Sequence, residues 1–583
     1  MHSHSHHRPS LFVIVLLALL ALMLFARPAH SGWSADPVQV HATSALCPLV
    51  ATIDDGHAGA IVVWQENTAA GGLLKARHVL ASGDLDPASS TPAAVSSQDV
   101  ARVALGIVSD GNGGAYVWWL ENAQLMLTRL TGSGAVAPGW VARGRNLGTL
   151  YSSAHRPIAV ADGAGGLYIG WMNAAALGGP TANVRVLHLG ASGAAAGGWP
   201  AAGRVFGLIG TDPTVVSFGL DRARDGGLWF GWQTVELIVA GVYGPGSLSV
   251  VRLTPAGAPA SGWSNLGTVL ASHHPLAGYL TVPAQQVAVA ADGADGVFVV
   301  ASDSEGDYTN GFVFHNTLWR VDGAGSSFAG WGPAGISVGD LFASGVVIVD
   351  EPASLRALAD GRGGVHVGLP WFASEFTAIM VFTRFDPAGL SISAGLGTDQ
   401  RGLEYAARGD GGLFIASSKP SGASGPYEAD AYISLAQTDG AAFFESKRSF
   451  LDIRYGDIGL TATRDGGAIF AWSQRIDRQG VYVVRLGPAG VVTGVSPTVG
   501  AASLRLRFVR GQGVHAVPNL PGATHATLSL HDLAGRTVSQ LESDAMLGAD
   551  VVFPGTRSLP GGVYFARASD GTHELHARVV VVR

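Results

Sequence analysis

Acidic residues at alternate positions of one segment are the clearest candidates for metal binding. Asp303, Glu305 and Asp307 occupy every second position of a polar stretch between two apolar runs. Calcium prefers several carboxylate oxygens that converge from a flexible loop, so this segment is a candidate calcium site. It lacks the Asp-x-Asp-x-Asp-Gly order of a standard calcium loop, and a solvated acidic loop is the alternative interpretation.

Aromatic and charged residues in the other irregular segments could bind a ligand. Loops held by a rigid scaffold often carry such residues, and the candidates here are Glu236, Tyr243, Tyr308, Trp371, Glu375, Tyr427, Glu428 and Arg475. The sequence contains no zinc-type cluster, phosphate-binding loop or serine-nucleophile elbow. It also lacks the Ser-x-Asp-x-Gly-x-Thr-Trp order of the sialidase aspartate box. No motif in the sequence therefore assigns a reaction type to this protein.

A repeated turn indicates the elements that must position these residues. Asp-Gly turns of this kind, spaced by 50 to 68 residues, begin at Asp55, Asp110, Asp162, Asp225, Asp292, Asp360, Asp410 and Asp465. Each turn opens a short apolar run, which predicts a strand. A period of this size built from strands and glycine turns is typical of a β-propeller blade.

Each repeat predicts a blade whose second strand is covered on both faces. Apolar residues fill alternate positions after the last glycine, and five copies place Trp at the fifth position: Trp64, Trp119, Trp171, Trp232 and Trp472. The intervening positions are mostly apolar too, as expected for a strand sandwiched between neighbouring blades. We expect eight blades over residues 32–500, with seven as the alternative if one long middle repeat is incomplete.

The repeated aspartates and arginines have a structural and a functional interpretation. Aspartate can accept hydrogen bonds from the backbone two residues on, and glycine supplies a positive φ, so turn chemistry is the simpler explanation. A row of catalytic or metal-binding carboxylates is the alternative. A basic residue in the third strand of most repeats is expected to pair with carboxylates or carbonyl groups between blades, although a ligand-binding ring of arginines stays open.

The chain after its leader begins with the end of a repeat. Gly32-Trp33 matches the Gly-Trp found late in four other repeats, and Pro37-Val38-Gln39-Val40 resembles an outer strand. The eighth repeat lacks this Trp. We therefore predict that the N-terminal segment supplies the outer strand of the last blade and closes the ring, which removes exposed sheet edges.

The N-terminus predicts export. His and Arg residues precede an apolar run from Leu11 to Ala26, and small residues follow, so residues 1–31 are expected to be a cleaved secretory signal. An uncleaved anchor is the alternative. A secreted or outer-surface location follows, with no membrane span after cleavage. Cys47 is the only cysteine, which excludes an internal disulfide.

Residues 501–583 predict a small Ig-like β-sandwich. They contain an alternating strand that ends in Asp532-x-x-Gly535-Arg536, then Gly562-x-Tyr564, and a Val-rich end. This pattern resembles the module related to the flagellar hook-capping protein and to the C-terminal sorting domains of the type IX secretion system. The resemblance implies interaction with secretion or sorting machinery, whereas a capping or adhesive sandwich is the alternative.

Two functional hypotheses follow for the whole chain, which is similar to secreted bacterial β-propeller repeat proteins. A net charge of −7 gives no basic surface for nucleic acid. The favoured hypothesis is an all-β binding or scaffold module for glycan or protein that needs no cofactor, with a calcium ion at Asp303, Glu305 and Asp307 as an open alternative. The alternative is a carbohydrate-active hydrolase or lyase with a carboxylate pair in the channel, because propellers host both binders and enzymes.

Overall fold

The structure, a computed structural model, shows an almost entirely β-strand protein. It describes residues 33, 37–151, 156–174, 182–209, 214–239, 242–273, 287–307, 311–343, 355–374, 377–392, 396–398, 401–420, 429–436, 444–447, 458–474, 479–487, 503–509, 513–519, 526–532, 535–543, 551–560, 562–569 and 574–581. The chain divides into two compact parts, residues 1–493 and 494–583. Within the described ranges, no helix has the length and hydropathy that a membrane span requires. The predicted export signal, residues 1–31, lies outside the described residues.

The N-terminal part contains one early strand followed by groups of four antiparallel strands. The early strand is β1 (Val38–Ala42). Group 1 contains β2 (Leu49–Asp54), β3 (Ala60–Glu66), β4 (Leu73–Val79) and β5 (Ala93–Ser96), and group 2 contains β6 (Arg102–Ser109), β7 (Ala115–Glu121), β8 (Gln124–Leu130) and β9 (Arg145–Leu150). Group 3 contains β10 (Ile158–Ala161), β11 (Leu167–Ala174), β12 (Ala182–Leu189) and β13 (Arg204–Ile209), and group 4 contains β14 (Thr214–Arg222), β15 (Leu228–Val239), β16 (Val242–Leu253) and β17 (Thr268–His273). A 3-10 turn, Pro87–Ser89, precedes β5.

The remaining groups repeat the same order. Groups 5 to 7 are β18 (Val287–Ala291), β19 (Val297–Asp307), β20 (Gly311–Val321), β21 (Ile336–Ala343); β22 (Arg356–Ala359), β23 (Val365–Ser374), β24 (Thr377–Phe385), β25 (Leu396–Thr398); and β26 (Arg401–Ala407), β27 (Leu413–Pro420), β28 (Ala429–Ala436), β29 (Phe444–Lys447). Group 8 has β30 (Ile458–Ala462), β31 (Ala468–Gln474) and β32 (Gly480–Leu486), with β1 as its fourth strand.

These eight groups form a closed ring. The first strand of each group lies beside the first strand of the next, and β30 lies beside β2. The first strands therefore make the inner wall of the ring, as in a propeller-type fold. Because the strands are antiparallel, the turns between first and second strands share one end of the ring with the turns between third and fourth strands. The hairpins between second and third strands lie at the other end.

The second strand of each group carries most of the core. In β3, β7 and β31 every residue but the last is buried, which confirms the predicted covering of both faces. Trp64, Trp119 and Trp472 are fully buried at equivalent positions of these strands. The two faces of β3 pack on different neighbours: Trp64 shares a cluster with Ile469 of group 8, and Val63 shares another with Val117 of group 2.

The N-terminal strand closes the ring as the sequence predicts. β1 pairs antiparallel with β32, with Val38 opposite Val483 and Ala42 opposite Gly480. Val40 is fully buried, and Arg77 of group 1 donates a hydrogen bond from Nη1 to its carbonyl oxygen at 2.8 Å. The first and last described segments of the ring are thus joined by both ladder and side-chain hydrogen bonds.

Tryptophans in the turns before the fourth strands connect consecutive groups. The indole nitrogens of Trp199, Trp263 and Trp331 donate to carbonyl oxygens of the next group, those of Pro255, Gly323 and Pro387, at 2.7 to 3.1 Å. Trp33 makes the equivalent contact from group 8 to Ala58 of group 1 at 3.0 Å. The Gly-Trp pair therefore belongs to the turn, not to the start of the fourth strand as its position in the repeat suggests.

The C-terminal part has two sheets. Their strands are β33 (Ser503–Val509), β34 (Gly513–Asn519), β35 (Ala526–His531), β36 (Thr537–Ser543), β37 (Val551–Val552), β38 (Gly562–Ser569) and β39 (Glu574–Val581), with a 3-10 turn at Thr556–Ser558. One sheet has the order β33-β34-β37 and the other β36-β35-β38-β39. Buried residues from both sheets, including Val514, Leu528 and Tyr564, share one core. The Asp532-x-x-Gly535-Arg536 motif forms the turn between β35 and β36, where Arg536 N donates to Asp532 Oδ1 at 3.0 Å.

Candidate functional site

Five of the eight repeated aspartates are turn residues with the same geometry. In group 2, Asp110 Oδ1 accepts hydrogen bonds from the backbone nitrogens of Asn112 and Gly114, both at 2.8 Å. Gly113 has a φ of +85°, and a Cβ on Gly114 would lie 2.4 Å from the Leu130 carbonyl oxygen, so both positions favour glycine. The same pattern holds at Asp55, Asp162, Asp292 and Asp360.

The other three aspartates lie two residues later in the turn, so the expectation of one shared position is wrong. Asp225, Asp410 and Asp465 directly precede the glycine pair, and the earlier position holds Ala223, Arg408 or Thr463. The buried Asp is thus replaced by a neutral residue or by an arginine. In group 7 the third strand has Leu435 in place of the usual base, and Arg408 pairs with Asp410 instead. The acid–base pair is kept although the cation comes from the turn itself.

Ion pairs between the turns and the third strands explain the repeated arginines. Arg320 Nη2 lies 2.7 Å from Asp292 Oδ2, and its Nη1 donates to the Pro387 carbonyl oxygen of the next group at 2.7 Å. Arg384 and Asp360 pair in the same way at 2.7 Å. These contacts confirm the structural interpretation, in which each arginine joins a carboxylate of its own group. Arg129, Arg320 and Arg485 also donate to a carbonyl oxygen of the next group, whereas Arg252 pairs with Asp295 of the next group.

A histidine replaces the arginine in groups 1 and 3. His78 Nε2 lies 2.9 Å from Asp55 Oδ2, and its Nδ1 lies 2.8 Å from Asp86 Oδ2. Burial alone would lower the pKa of His78, but hydrogen bonds to both carboxylates raise it above the ordinary value. The imidazole therefore favours the charged form and pairs with its turn carboxylate as the arginines of the other groups do.

The candidate calcium residues lie in a strand and not in a loop. Asp303, Glu305 and Asp307 belong to β19, which pairs with β20 as far as Asp307 opposite Gly311. The expectation of a loop is wrong because the ladder continues beyond the repeated part of the sequence. Alternate residues of a strand are separated by roughly 6.5 Å, whereas calcium needs converging oxygens. No group of three metal-binding side chains occurs among the described residues, and calcium binding stays a prediction.

The other candidate residues are distributed over the same end of the ring. Glu236 lies in β15 and Tyr243 in β16, in the outer half of a long hairpin and not in the expected loop. Trp371 lies in β23, opposite Ile379. The remaining candidates lie outside the described residues: Tyr308, Glu375, Tyr427, Glu428 and Arg475. The structure therefore places Glu236, Tyr243 and Trp371 on the hairpins of groups 4 and 6 without bringing them into one site.

A polar cluster on the inner wall was not predicted. Arg156 lies two residues before β10, Arg356 begins β22, and Glu404 and Tyr405 are neighbours in β26. Arg356 lies over the Tyr405 ring, and the charges of Arg156 and Arg356 lower the pKa of the Glu404 carboxyl. Groups 6 and 7 thus bring a cation, an acid and a phenol together, and Arg156 of group 3 supplies a second positive charge. We refer to these four residues as the channel cluster.

Glu404 of the channel cluster is exposed to solvent but lies inside the ring. Solvent reaches its side chain, and protein surrounds it at the same time. Burial therefore raises the pKa of Glu404, although Arg156 and Arg356 each lower it. Burial raises the pKa of Tyr405, whereas the charge of Arg356 and a side-chain hydrogen bond with it lower the pKa. Arg356 lies over its ring with Cζ 5.8 Å from the centroid.

The wall around the channel cluster is otherwise small or apolar. Among the described residues that lie seven to ten positions before the last turn glycine of each group, three are charged: Arg156, Arg356 and Glu404. In five groups the residue eight positions before that glycine is small: Ala51, Gly106, Gly219, Ala288 or Gly459. Arg356 and Glu404 occupy that same position in consecutive repeats. Aligning the repeats backward from the turn would have revealed this departure from the sequence alone.

A second acid with a raised pKa joins two inner strands. Asp221 in β14 accepts a hydrogen bond at Oδ2 from Ala291 N of β18 at 2.8 Å, and one at Oδ1 from Arg222 N at 2.7 Å. Burial nevertheless raises the pKa of Asp221 to about 6. The folded ring therefore binds a proton here more readily than the unfolded chain does, and this contribution to stability is largest below about pH 4 and is lost as the pH rises through 6.

Asp221→Asn is expected to stabilise the protein at pH 8 but not at pH 4. The amide removes a buried charge at high pH, and a shift of two pKa units corresponds to about 3 kcal/mol at most. Chemical unfolding of the variant and the wild type across this pH range measures the difference. Asp84→Asn, at an exposed turn position, is the control, and a pH-independent effect of Asp221→Asn would contradict the assignment.

Comparisons with known proteins do not identify a family. No protein-family model matches this chain, and no curated protein matches it. Among solved structures, the polysaccharide lyase Uly1 has a TM-score of 0.37 at 7% identity, covering 80% of this chain and 93% of the lyase. Prolyl oligopeptidase B from Galerina marginata has a TM-score of 0.34 at 11% identity, covering 76% of this chain and 57% of the oligopeptidase. The Hadza microbial sialidase Hz136 has a TM-score of 0.31 at 11% identity, covering 73% of this chain and 75% of the sialidase. Likenesses this distant assign no activity.

Proposed function

We propose that this protein is an exported eight-bladed β-propeller that binds a glycan at the centre of its ring. Each four-stranded group is one blade, and β1 completes the eighth. The channel cluster is the observation that carries the proposal, because Arg356 of blade 6 lies over the ring of Tyr405 of blade 7, next to Glu404 in the same inner strand. Sugar-binding sites need a few placed polar groups within a mostly apolar wall, and the inner strands supply that wall.

A contrast with the repeated ion pairs between the turns and the third strands supports this location. The described turn carboxylates of blades 1 to 6 accept hydrogen bonds from their own turns and pair with basic side chains. Arg356 and Glu404, by comparison, lie in the inner strands β22 and β26 and not in these turns, and Arg356 lies over the Tyr405 ring. Polar groups of this kind on the inner wall could contact a ligand in the channel.

The expected result is binding of at least one polysaccharide without release of soluble product. The mature chain is tested against a panel of neutral and acidic polysaccharides by affinity electrophoresis, and the same mixtures are analysed for new reducing or unsaturated ends. Binding without new ends supports a binding module. New ends would instead establish the enzyme alternative, and failure to bind every polysaccharide would contradict the proposal.

We further propose that residues 501–583 form an Ig-like sandwich that sorts or attaches the protein. Support comes from the shared core of its two sheets and from the turn built by Asp532, Gly535 and Arg536. Deletion of residues 501–583 is expected to move the protein from the cell surface to the medium or to the periplasm. Fractionation followed by immunoblotting measures this, with tagged full-length protein as control. Unchanged localisation would leave the sandwich a capping module.

A further inference from the structure

We propose that protonation of His78 regulates how firmly the ring is closed. The charged imidazole holds two segments of blade 1 that bind blade 8 across the seam, which is the boundary between these two blades. The neutral imidazole, which forms as the pH rises, holds only one of them. This regulation is independent of any ligand in the channel.

Both ring nitrogens of His78 face carboxylate oxygens. Nε2 lies 2.9 Å from Asp55 Oδ2, and Nδ1 lies 2.8 Å from Asp86 Oδ2. His78 is buried, so water does not readily replace either partner. A neutral imidazole has one N–H and donates to one carboxylate, whereas the charged form donates to both. Deprotonation therefore leaves one of the two carboxylates without its hydrogen bond.

The second carboxylate distinguishes blade 1 from blades 2 to 6. The backbone nitrogen of Asp86 donates to the His78 carbonyl oxygen at 3.0 Å. The residues that make the same backbone contact in blades 2 to 6 are neutral: Ala137, Ala196, Ala260, Phe328 and Ile392. In blade 3, His188 pairs with its turn carboxylate, but its Nδ1 lies 3.1 Å from the Pro255 carbonyl oxygen. Blade 1, which meets blade 8 at the seam, thus has a titratable cation between two acids.

Asp55 holds the turn that binds blade 8. Its Oδ1 accepts hydrogen bonds from two backbone nitrogens of its own turn at 2.6 and 2.8 Å. The carbonyl oxygen of Ala58 in this turn accepts hydrogen bonds from Trp33 Nε1, at 3.0 Å, and from Arg485 Nη1 of blade 8. Ala58 has a φ of +71°, which is uncommon for alanine. The turn therefore depends on Asp55 for its shape.

Asp86 holds a second segment that is connected to blade 8. Its Oδ1 caps the 3-10 turn Pro87–Ser89. Arg77 Nη2 donates to the carbonyl oxygen of Ser90, directly after this turn, at 2.8 Å. Arg77 Nη1 donates to the Val40 carbonyl oxygen in β1 at 2.8 Å. His78 thus lies between the two segments through which blade 1 is joined to blade 8.

The two carboxylates stay ionised while His78 titrates. Burial would raise the pKa of Asp55, but hydrogen bonds from His78 and from the turn lower it, and the hydrogen bond with His78 lowers the pKa of Asp86. The charged residue of the adjoining blade 2 turn, Asp110, is paired with Arg129. The other charged or titratable groups that face these two segments are Asp54, His57, Arg77, Arg464 and Arg485.

Closure of the seam should weaken as the pH rises. Burial lowers the pKa of His78, but hydrogen bonds to the two carboxylates raise it above the ordinary value of 6.5. The folded ring therefore holds this proton more tightly than the unfolded chain does. The contribution to stability is complete below about pH 6.5 and is lost as the pH rises through the higher pKa of the folded state.

Hydrogen–deuterium exchange followed by mass spectrometry measures opening of the seam in residues 32–583. After correction for the intrinsic pH dependence of exchange, we expect exchange in β1 and in residues 55–60 to increase about tenfold from pH 6 to pH 8.5, because a charge-assisted hydrogen bond is lost. His78→Arg introduces the permanent cation of most other blades and should abolish this increase. His57→Gln changes an exposed histidine of the same turn and is the matched control, which should keep the increase.

Two results would overturn the proposal. One is seam exchange in the wild type that does not change between pH 6 and pH 8.5, and the other is a His78→Arg variant that keeps the full increase. If His78→Arg does not fold, Asp86→Ala replaces it, because alanine occupies this position in blades 2 to 4 and a neutral His78 then has one carboxylate to satisfy. The increase should be smaller in that variant, and an unchanged increase would contradict the proposal as well.

Discussion

Trp33→Ala is expected to lower the free energy of unfolding of the ring by about 3–5 kcal/mol. Trp33 is 2% exposed and packs with Val40, Trp64 and Val483 in the core that joins the first and last blades. Its indole nitrogen donates to the Ala58 carbonyl oxygen at 3.0 Å. The substitution therefore leaves a cavity at the point where the ring closes, and it also removes a hydrogen bond across that seam.

Chemical unfolding of residues 32–583 measures this effect. Trp140→Ala is the matched control, since Trp140 occupies the equivalent turn of blade 2 but is only half-buried and its indole nitrogen has no hydrogen-bond partner. A smaller loss is expected there. Equal losses in the two variants would show that closure by the N-terminal segment is not a special feature of this ring.

Asp292→Ala is expected to destabilise the protein by about 3–5 kcal/mol. The Asp292 side chain is fully buried, pairs with Arg320 and accepts hydrogen bonds from two backbone nitrogens of its turn. Its removal leaves the Arg320 guanidinium as a buried charge without its carboxylate. The hydrogen bond from Arg320 to blade 6 should weaken as well, so the loss of stability should extend to that neighbouring blade.

The control for this prediction lies three residues away. Asp295 pairs with Arg252, but its side chain is 69% exposed, and exposed ion pairs contribute about 0–1 kcal/mol. Asp295→Ala should therefore change the unfolding midpoint only slightly. A similar midpoint for Asp292→Ala and Asp295→Ala would contradict the role assigned to the buried pairs.

Much of the repeated fold could be predicted from the sequence because the residues that build each repeat are close together in the chain. A turn aspartate, its glycines and the apolar strand that follows occur within about ten residues, so each repeat shows them directly. The return of the N-terminus to the last blade was also readable, since Gly32-Trp33 is a fragment of the repeat. The two-residue displacement of Asp225, Asp410 and Asp465 was missed because the Asp-Gly letters stay the same while the hydrogen-bonded position changes.

The candidate site could not be predicted in the same way. The hairpins of blades 4 and 5 stop resembling the repeat, yet their strands continue to Val239 and Asp307, because strand pairing needs alternation and not similarity. The channel cluster depends on the packing of neighbouring groups in the ring, which places Arg356 over the Tyr405 ring. Only the departure from small residues at Arg356 and Glu404 was visible in the sequence.

A crystal structure of residues 32–583 with an oligosaccharide of a polysaccharide that binds tests the central claim most directly. We predict electron density for the sugar chain inside the ring, with sugar oxygens within hydrogen-bonding distance of Arg356 or Glu404. Density only on the outer hairpins, with the channel cluster unchanged and empty of sugar, would contradict the account.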